Sequence, residues 1–225
     1  MRIRKKIWAR PELSQCDYFV REPSLFKGCW GKDFSCEAPI HLDLGCGKGV
    51  FLAEVACQNP NINFIGIDIS MDILGVARRN IEDVFGDKNV ENIRFFSHDI
   101  EKITEVFSEN DQVDRIYINF CNPWPKSRGH KKRLLHTDFL NKYKTFLKPN
   151  GEIWFKTDSD DLYLASLRYL AEADLDIFFS TKDLHAETNI ENIRTEHENM
   201  FTEQGIKIKA IRAKYFGGGN GEKKN

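Results

Sequence analysis

The hydrophobic residues of this chain follow two alternating patterns, short apolar runs and stretches with helical spacing. The apolar runs predict seven strands, over residues 40–44, 64–69, 93–99, 113–120, 152–157, 175–180 and 206–213. Apolar residues three and four apart predict helices over 50–57, 71–85, 137–147, 160–171 and 195–204. Repeated strand and helix units require an α/β fold, with a mainly parallel sheet covered by helices on both faces. The last two strands enclose one short helix, which favours an antiparallel C-terminal edge.

The same pattern divides the chain into one domain and two terminal segments. Residues 1–36 lack firm periodicity and carry five basic residues in their first ten positions, so we expect a basic N-terminal extension. Residues 37–216 contain every predicted strand and helix and form the domain. Residues 217–225 are rich in glycine and lysine, and we expect a flexible C-terminal tail there.

Composition and charge narrow the class of protein. The 225 residues are 41% hydrophobic and 30% charged, with a formal net charge of −1, as in ordinary soluble globules. A surface for nucleic acid must therefore come from clusters of basic residues, which lie in the first ten positions, in 126–133 and in 207–214. No stretch is long and apolar enough for a membrane span or a signal peptide, so we expect a cytoplasmic protein. The six cysteines form no C-x-x-C pair, so we expect reduced thiols and no bound metal.

An apolar run ends in the stiff corner Asn122-Pro123-Trp124-Pro125 and continues into a cationic loop. Two prolines fix φ and cannot continue a sheet ladder, so the corner presents an amide and an indole. Five of the eight residues over 126–133 are lysine or arginine. A polar and aromatic corner beside clustered cations suits a nucleic-acid base next to its phosphates, although a solvated strand end would look similar.

The segment from Asp43 to Gly49 places a glycine-rich turn between a strand and a helix. Its G-x-G-x-G spacing differs from that of loops that bind pyrophosphate, and an acidic residue precedes it. Asp68 ends the next predicted strand, where acidic residues bind ribose hydroxyls, and Asp99 ends the third, where it could accept an adenine amine. S-adenosylmethionine, with its ammonium, ribose diol and adenine, satisfies all three carboxylates.

Together these segments resemble bacterial tRNA (guanine-N7-)-methyltransferases of the TrmB family over nearly the whole chain. The resemblance is carried by Asp43 to Gly49, Gly66-Ile67-Asp68, His98-Asp99, Asn122 to Lys126, Lys156-Thr157-Asp158 and Thr195-Glu196-His197-Glu198. The first three are shared by many methyltransferases, whereas the Pro-Trp-Pro-Lys corner joined to Thr-Asp and Thr-x-x-Glu is specific to this family. The resemblance implies a class I S-adenosylmethionine-dependent, Rossmann-like fold and methylation of N7 of guanosine 46 in the tRNA variable loop.

The resemblance also implies roles for single residues. Cofactor contacts correspond to Asp43, Asp68, Asp99 and Asn122, and the glycine loop adds Gly45, Gly47 and Gly49. Contacts to the target nucleoside correspond to Lys126, Asp158, Thr195, Glu196, His197 and Glu198. The RNA-contacting loop corresponds to Arg128, Gly129, His130, Lys131, Lys132 and Arg133. The implied partner is tRNA, and the oligomeric state, monomer or homodimer, stays open.

Three positions depart from the family pattern. Asp43 stands where Glu is frequent, and Gly129 and Lys132 stand where His and Arg are more usual. Asn122 stands where the family usually has Asp, the residue credited with catalysis. Guanine N7 carries a lone pair and needs no general base, so we expect the protein to be active with Asn122 at this position. Asp158 or Glu198 would then supply the negative charge that the usual Asp provides.

Other interpretations of the same residues remain open. Thr195-x-x-Glu198 is also a helix capping box, and Asp158 could cap the following helix. Asn122-Pro123-Trp124 resembles the turn with which amino-methyltransferases bind an exocyclic amine. A non-catalytic tRNA-binding relative and a small-molecule methyltransferase are the remaining alternatives.

Overall fold

The computed structural model describes residues 5–217, and seven strands within them form one sheet. The strands are β1 (Ile40–Leu44), β2 (Asn63–Asp68), β3 (Ile93–Ser97), β4 (Val113–Asn119), β5 (Leu147–Thr157), β6 (Asp176–Thr181) and β7 (Lys209–Lys214). Their order is β3-β2-β1-β4-β5-β7-β6, and β7 is antiparallel to both neighbours while the other pairs are parallel. The predicted α/β sheet with an antiparallel C-terminal edge is confirmed.

Helices cover both faces of this sheet. The α-helices of the described residues are α1 (Ala9–Ser14), α2 (Val50–Gln58), α3 (Met71–Phe85), α4 (Thr137–Tyr143), α5 (Asp160–Glu172) and α6 (Glu196–Glu203). Short 3-10 helices span Pro23–Phe26, Trp30–Asp33, Ile100–Glu105, Ser127–Lys132 and Leu184–Ala186. Apolar residues of α2 and α3 pack on one face of the sheet, and those of α4 and α5 pack on the other. Two parallel-sheet faces are thereby removed from water.

Serine caps explain where two of these helices begin. The Oγ of Ser70 accepts the N–H of Ile73 at 3.4 Å at the start of α3. The Oγ of Ser159 accepts the N–H of Leu162 at 3.2 Å at the start of α5. Each cap satisfies a main-chain donor that has no partner inside its own helix. Ser159, and not Asp158, therefore caps α5, which excludes the capping role considered for Asp158.

Four predicted boundaries are wrong by two or more residues. β5 begins at Leu147, five residues before its predicted start. β3 ends at Ser97, and Asp99 instead caps a 3-10 helix, because its Oδ1 accepts the N–H of Glu101 at 3.0 Å. α4 ends at Tyr143, four residues before its predicted end. The carbonyl of Phe146 accepts the N–H of Val113 at 2.8 Å, so the chain is already pairing with β4 there. β7 begins at Lys209, three residues after its predicted start.

The predicted N-terminal extension packs onto the domain where the structure describes it. Leu13 and Trp30 are fully buried, and Phe19 forms an isolated parallel bridge with Phe95 of β3. A Cβ at Gly75 of α3 would lie 2.4 Å from the Cβ of Ala9, so α1 approaches α3 closely. Residues 5–36 are therefore a layer of the structure and not a free arm. Residues 218–225 of the predicted tail lie outside the described residues.

Within residues 5–217, none of the helices has the length and apolarity that a membrane crossing demands.

Trp30 provides a test of this N-terminal layer. Its ring stacks on Phe96 and Phe107 with centroid distances of 5.1 and 5.5 Å, and its Nε1 donates to the carbonyl of Val106 at 2.8 Å. We expect Trp30→Ala to lower the free energy of unfolding by about 3–5 kcal/mol, because a buried ring and a hydrogen bond are lost together. Urea denaturation measures the change. Leu25→Ala is the control, because Leu25 lies in the same segment and is 71% exposed. Equal losses of unfolding free energy for the two variants would contradict the packing of this segment onto the domain.

Candidate active site

The candidate site lies where the carboxyl ends of the parallel strands meet. β1 and β4 are neighbours, whereas β2 and β3 lie on the far side of β1. The chain therefore leaves β1 toward one edge of the sheet and β4 toward the other. Doubly wound sheets bind their ligands in the crevice that opens at such a reversal.

A loop of three left-handed glycines joins β1 to α2. The φ angles of Gly45, Gly47 and Gly49 are 81°, 55° and 70°. A side chain is excluded at Gly49, because a Cβ there would lie 2.7 Å from the Cβ of Ala77. At Gly45 no heavy atom of the described residues lies within 4 Å of the position of a Cβ. The loop therefore offers bare main chain to a ligand in the cleft.

The carboxylate of Asp68 is fixed by the main chain around it. Its Oδ2 accepts the N–H of Gly47 at 3.1 Å, and its Oδ1 accepts the N–H of Ser70 at 2.9 Å. Burial raises the pKa of Asp68, and these N–H groups oppose the rise. Each oxygen keeps a lone pair, so the carboxylate can still accept hydrogen bonds from ligand hydroxyls.

Asp43 is the penultimate residue of β1 and is 2% exposed. Burial, assisted by the charge of Asp68 and opposed by that of Lys156, raises the pKa of the Asp43 carboxyl to about 7. A cationic ligand group beside it would favour the ionised form. The Asp43 carboxylate is therefore a suitable acceptor for the ammonium of an amino acid.

Two adjoining spaces form an elongated groove along this edge. The first has a volume of about 260 Å³ and is lined by Asp43, the glycine loop and Asp68. The second has a volume of about 310 Å³ and is lined by Asp68, Asp99 and Ile100. Gly45 and Asp68 border both spaces. The three carboxylates thus follow one another along the groove, as an extended ligand with an ammonium, a diol and a purine amine requires.

The corner after β4 has a strained main chain. Phe120 and Trp124 have φ angles of +51° and +42°, which bulky side chains rarely adopt. The Oδ1 of Asn122 accepts the N–H of Trp124 at 3.0 Å and so holds the corner. Strain of about 1–3 kcal/mol per residue persists only where the surrounding structure enforces it, and it concentrates at functional sites.

Arg133 corrects a role that the resemblance implied. It is fully buried, so it has no surface for an RNA phosphate. Its Nε donates to the carbonyl of Pro123 at 2.8 Å, its Nη2 donates to that of Trp124 at 3.3 Å, and it pairs with Asp161. A buried guanidinium is stable only with such partners. Arg133 therefore holds the strained corner in place.

Gly129 is also buried and cannot present a surface to RNA. A Cβ at this position would lie 3.2 Å from the Cβ and Cε3 of Trp124. Glycine therefore allows the loop to pack against the indole, which corrects the RNA contact assigned to Gly129.

Exposed cations surround the outer side of the corner. Lys126, Arg128, Lys131 and Lys132 are exposed, and His130 is half-buried. The Nζ of Lys132 lies 5.3 Å from the centroid of the Trp124 ring. Trp124 and Lys132 border both a cavity of about 400 Å³ in the cationic loop and the groove that contains Asp68. The cationic loop and the carboxylate groove are therefore adjacent.

Glu198 is a third corrected residue, because it is fully buried and presents no surface to a nucleoside. Its carboxylate lies 2.9 Å from Lys156 Nζ, 2.7 Å from His185 Nε2 and 2.7 Å from Asn192 Nδ2. Although burial opposes it, the Lys156 charge and these hydrogen bonds lower the pKa of Glu198. The predicted capping box is confirmed, with Thr195 Oγ1 accepting the Glu198 N–H at 3.0 Å. Glu198 therefore joins the start of α6 to the end of β5.

The remaining residues of that motif border the cleft. Thr195, Glu196 and His197 line the same space as Asp43. The ring of His197 stacks on Phe120 at 5.9 Å and 21°. Glu196 pairs with Lys48 of the glycine loop at 2.6 Å. The start of α6 thus forms the wall opposite the glycine loop.

Asp158 is half-buried beyond β5, and its carbonyl accepts Lys209 Nζ at 2.9 Å. β5 ends at Thr157, and Lys156 pairs with Asn119 of β4. Asp158 therefore lies at the same sheet edge as the corner that follows β4.

Sequence reasoning did not assign Phe51, Asn119 or Phe120 to the cleft. Asn119 and Phe120 line the cleft beside Asp43. Asn119 and Lys156 are paired near the carboxyl ends of β4 and β5. Their position at strand ends was a usable signal, since ligands of such sheets bind there. Within residues 5–217, no group of three His, Cys, Asp or Glu side chains could hold a metal ion.

Comparisons with known proteins identify the family of this chain. A family model described as "Putative methyltransferase" matches residues 37–211. A tRNA (guanine-N(7)-)-methyltransferase of Clostridium botulinum is 54% identical over 215 residues, covering 95% of this chain and 98% of that protein. One of Clostridium beijerinckii is 53% identical with the same coverage.

A solved structure resembles the fold at lower identity. The 16S rRNA methyltransferase KamB has a TM-score of 0.57 and 12% identity, covering 79% of this chain and 88% of that chain. It supports the class I methyltransferase fold alone. The family match and the two clostridial relatives carry the assignment further: the chain belongs to the tRNA (guanine-N(7)-)-methyltransferase family.

Proposed function

We propose that this protein transfers a methyl group from S-adenosylmethionine to N7 of a guanine in tRNA, at guanosine 46 of the variable loop. One observation carries the proposal: Trp124 and Lys132 of the cationic loop line the same groove as Asp68 and Asp99. A donor bound by the carboxylates and an RNA bound by the cations therefore meet in one cleft. The clostridial relatives are named for this activity.

The carboxylates and the glycine loop would hold the cofactor. Asp43 would pair with its ammonium, Asp68 would accept its ribose hydroxyls, and Asp99 would accept its adenine amine. The bare main chain at Gly45 would lie against it. When bound, S-adenosylmethionine supplies an electrophilic methyl group on a positively charged sulfur.

The cleft wall opposite the glycine loop would orient the target guanine. Phe120 and His197 present stacked rings on that wall, and aromatic side chains stack unpaired RNA bases. Because guanine N7 carries no proton, the chain needs to supply position and not a base. Holding two reactants in line can contribute up to about 7–11 kcal/mol to a rate.

Asn122 would then act as a hydrogen-bond donor. Its Oδ1 is engaged by the N–H of Trp124, which leaves the Nδ2 to meet an acceptor such as guanine O6. Glu198 is already paired with Lys156, so it would not balance charge on the purine. Asp158, half-buried at the same sheet edge as the corner, is the better candidate for that role.

The exposed cations would bind the RNA backbone. Lys126, Arg128, Lys131 and Lys132 are available for phosphate contacts, which set the register of an RNA without reading its sequence. Lys132, beside Trp124, would bring a phosphate close to the base in the cleft.

Methyl transfer to unmodified tRNA tests the function. Purified protein is incubated with labelled S-adenosylmethionine and tRNA, and the product is mapped by cleavage at 7-methylguanosine. We expect one modified guanine in the variable loop. A methylated exocyclic amine would support the amino-methyltransferase instead, and RNA binding without transfer would support a non-catalytic relative. Methyl transfer to small molecules alone, with a substrate affinity that does not change with salt, would exclude RNA as the substrate.

Replacing Asn122 tests its role. We expect Asn122→Ala to lower the single-turnover rate about 10–100-fold, because a hydrogen bond to the target and the support of the strained corner are lost. Asn122→Asp keeps the acceptor for the Trp124 N–H, and its carboxylate can accept from guanine N1–H and N2–H in place of the donation to O6, so it is expected to transfer at least as fast as the native protein. Native turnover by Asn122→Ala would contradict the assigned role.

The pKa of Asp43 predicts how cofactor binding depends on pH. An ammonium pairs with ionised Asp43, whose carboxyl has a pKa of about 7 in the unliganded protein. Affinity for S-adenosylhomocysteine should therefore rise about tenfold between about pH 6 and about pH 8 in calorimetric titrations.

Asp43→Asn is the control and should bind weakly with a flat pH profile. The free energy of unfolding depends on pH in the opposite direction to cofactor affinity. The reason is that the raised pKa of Asp43 makes the folded protein bind this proton more tightly than the unfolded chain does. The contribution of Asp43 to the free energy of unfolding therefore falls as pH rises from the ordinary value of 3.8 to about 7. If the affinity of Asp43→Asn for S-adenosylhomocysteine still rises with pH as in the native protein, another group is responsible for that rise.

Salt dependence separates buried Arg133 from exposed Arg128. We expect Arg128→Met to reduce the slope of log affinity for tRNA against log salt by about 1, because one phosphate contact is lost. Arg133→Met should leave that slope unchanged but lower the transfer rate, because the corner loses its support. Filter binding and single-turnover assays measure the two quantities. A reduced slope in Arg133→Met would restore Arg133 to the RNA contacts.

A further inference from the structure

We infer that the side-chain amide of Asn119 binds the α-amino-acid end of the cofactor. This inference rests on the proposed function and adds a contact to it. Asn119 is the last residue of β4 and lines the same cleft as Asp43.

The sheet register places Asn119 on the face that carries Asp43. Asp43 of β1 pairs with Tyr117 of β4, and successive side chains of a strand point to opposite faces. Asn119, two residues after Tyr117, therefore returns to the face of Asp43. Lys156 of β5 pairs with Asn119 and shares this face. The three polar residues form a row across the carboxyl edge of the sheet.

The side-chain nitrogen of Asn119 lacks a protein partner. The Nδ2 atom is buried and forms no hydrogen bond with any residue of 5–217. An unpaired buried amide is costly, and few occur in native proteins. A polar ligand group beside Asp43 would supply the missing partner.

Lys156 cannot supply the same contact. An ammonium has three donors, and those of Lys156 are used by Asn192 Oδ1, the Ile193 carbonyl at 2.8 Å and Glu198 Oε2 at 2.9 Å. Asn119 is therefore the member of this row, besides Asp43, that is open to a ligand.

The position of Asn119 favours the amino-acid end over the target guanine. Asn119 borders the cleft and also a smaller cavity, whose lining includes Tyr117 and Lys156. Phe120 and His197, on which a base would stack, line the cleft but not that cavity. Because Asn119 shares the sheet face of Asp43, an ammonium bound at Asp43 would place its own carboxylate near Asn119.

Two ligands that differ in the amino-acid end provide the test. Calorimetric titration compares S-adenosylhomocysteine with 5′-methylthioadenosine, which lacks the amino-acid group, in the absence of tRNA. We expect Asn119→Leu to weaken S-adenosylhomocysteine about 10–100-fold and to change 5′-methylthioadenosine by less than about threefold. Asn61→Leu, at an exposed position, is the matched control and should leave both affinities unchanged.

Each other result overturns a defined claim. Equal losses for both ligands would assign Asn119 a structural role, and an unchanged affinity for S-adenosylhomocysteine would overturn the inference while the proposed function stands. A defect that emerges only with tRNA would move the contact to the guanine and also overturn it. Failure of the native protein to bind S-adenosylhomocysteine would overturn the proposed function itself. If Asn119→Leu does not fold, Asn119→Ser carries the same comparison.

Discussion

The site depends on one electrostatic constraint, two carboxylates held close together with little water. Asp43 is nearly inaccessible, and the charge of Asp68 opposes its ionisation. The fold does not relieve this repulsion with a direct ion pair, because Lys156 is taken up by Glu198 and its neighbours. A cationic ligand group relieves it, so the free energy of ligand binding includes the ionisation of a carboxylate that folding has disfavoured.

The basic residues of the molecule divide into a buried group and an exposed group, which have different roles. Arg133 and Lys156 are removed from water and hold main-chain segments, the first at the corner after β4 and the second at the start of α6. Lys126, Arg128 and Lys132 remain in solvent, where attraction to phosphates acts without a desolvation cost. A single run of basic letters in the sequence thus contains two physical roles.

Trp124 connects these two groups. Its main chain is held in a strained conformation by Asn122 and Arg133, and its ring contacts Gly129 and lies under Lys132. Because rigid support fixes the indole between the cationic loop and the carboxylate groove, the same residue borders the spaces proposed for RNA and cofactor. Pre-organisation of this kind lowers the entropy lost when two ligands must meet in line.

The sequence by itself determined the sheet class, the glycine loop, the acidic residues near the ends of the first three strands and the capping box at Thr195. These features follow from local periodicity and spacing, which neighbouring residues set between themselves. Only the tertiary structure decided that Arg133 and Glu198 are buried, that residues near Trp30 complete the core, and that Asn119 faces the cleft. Burial and the choice of partner depend on residues distant in the chain, as the ion pairs of Arg133 with Asp161 and of Lys156 with Glu198 illustrate. The local sequence pattern therefore cannot predict them.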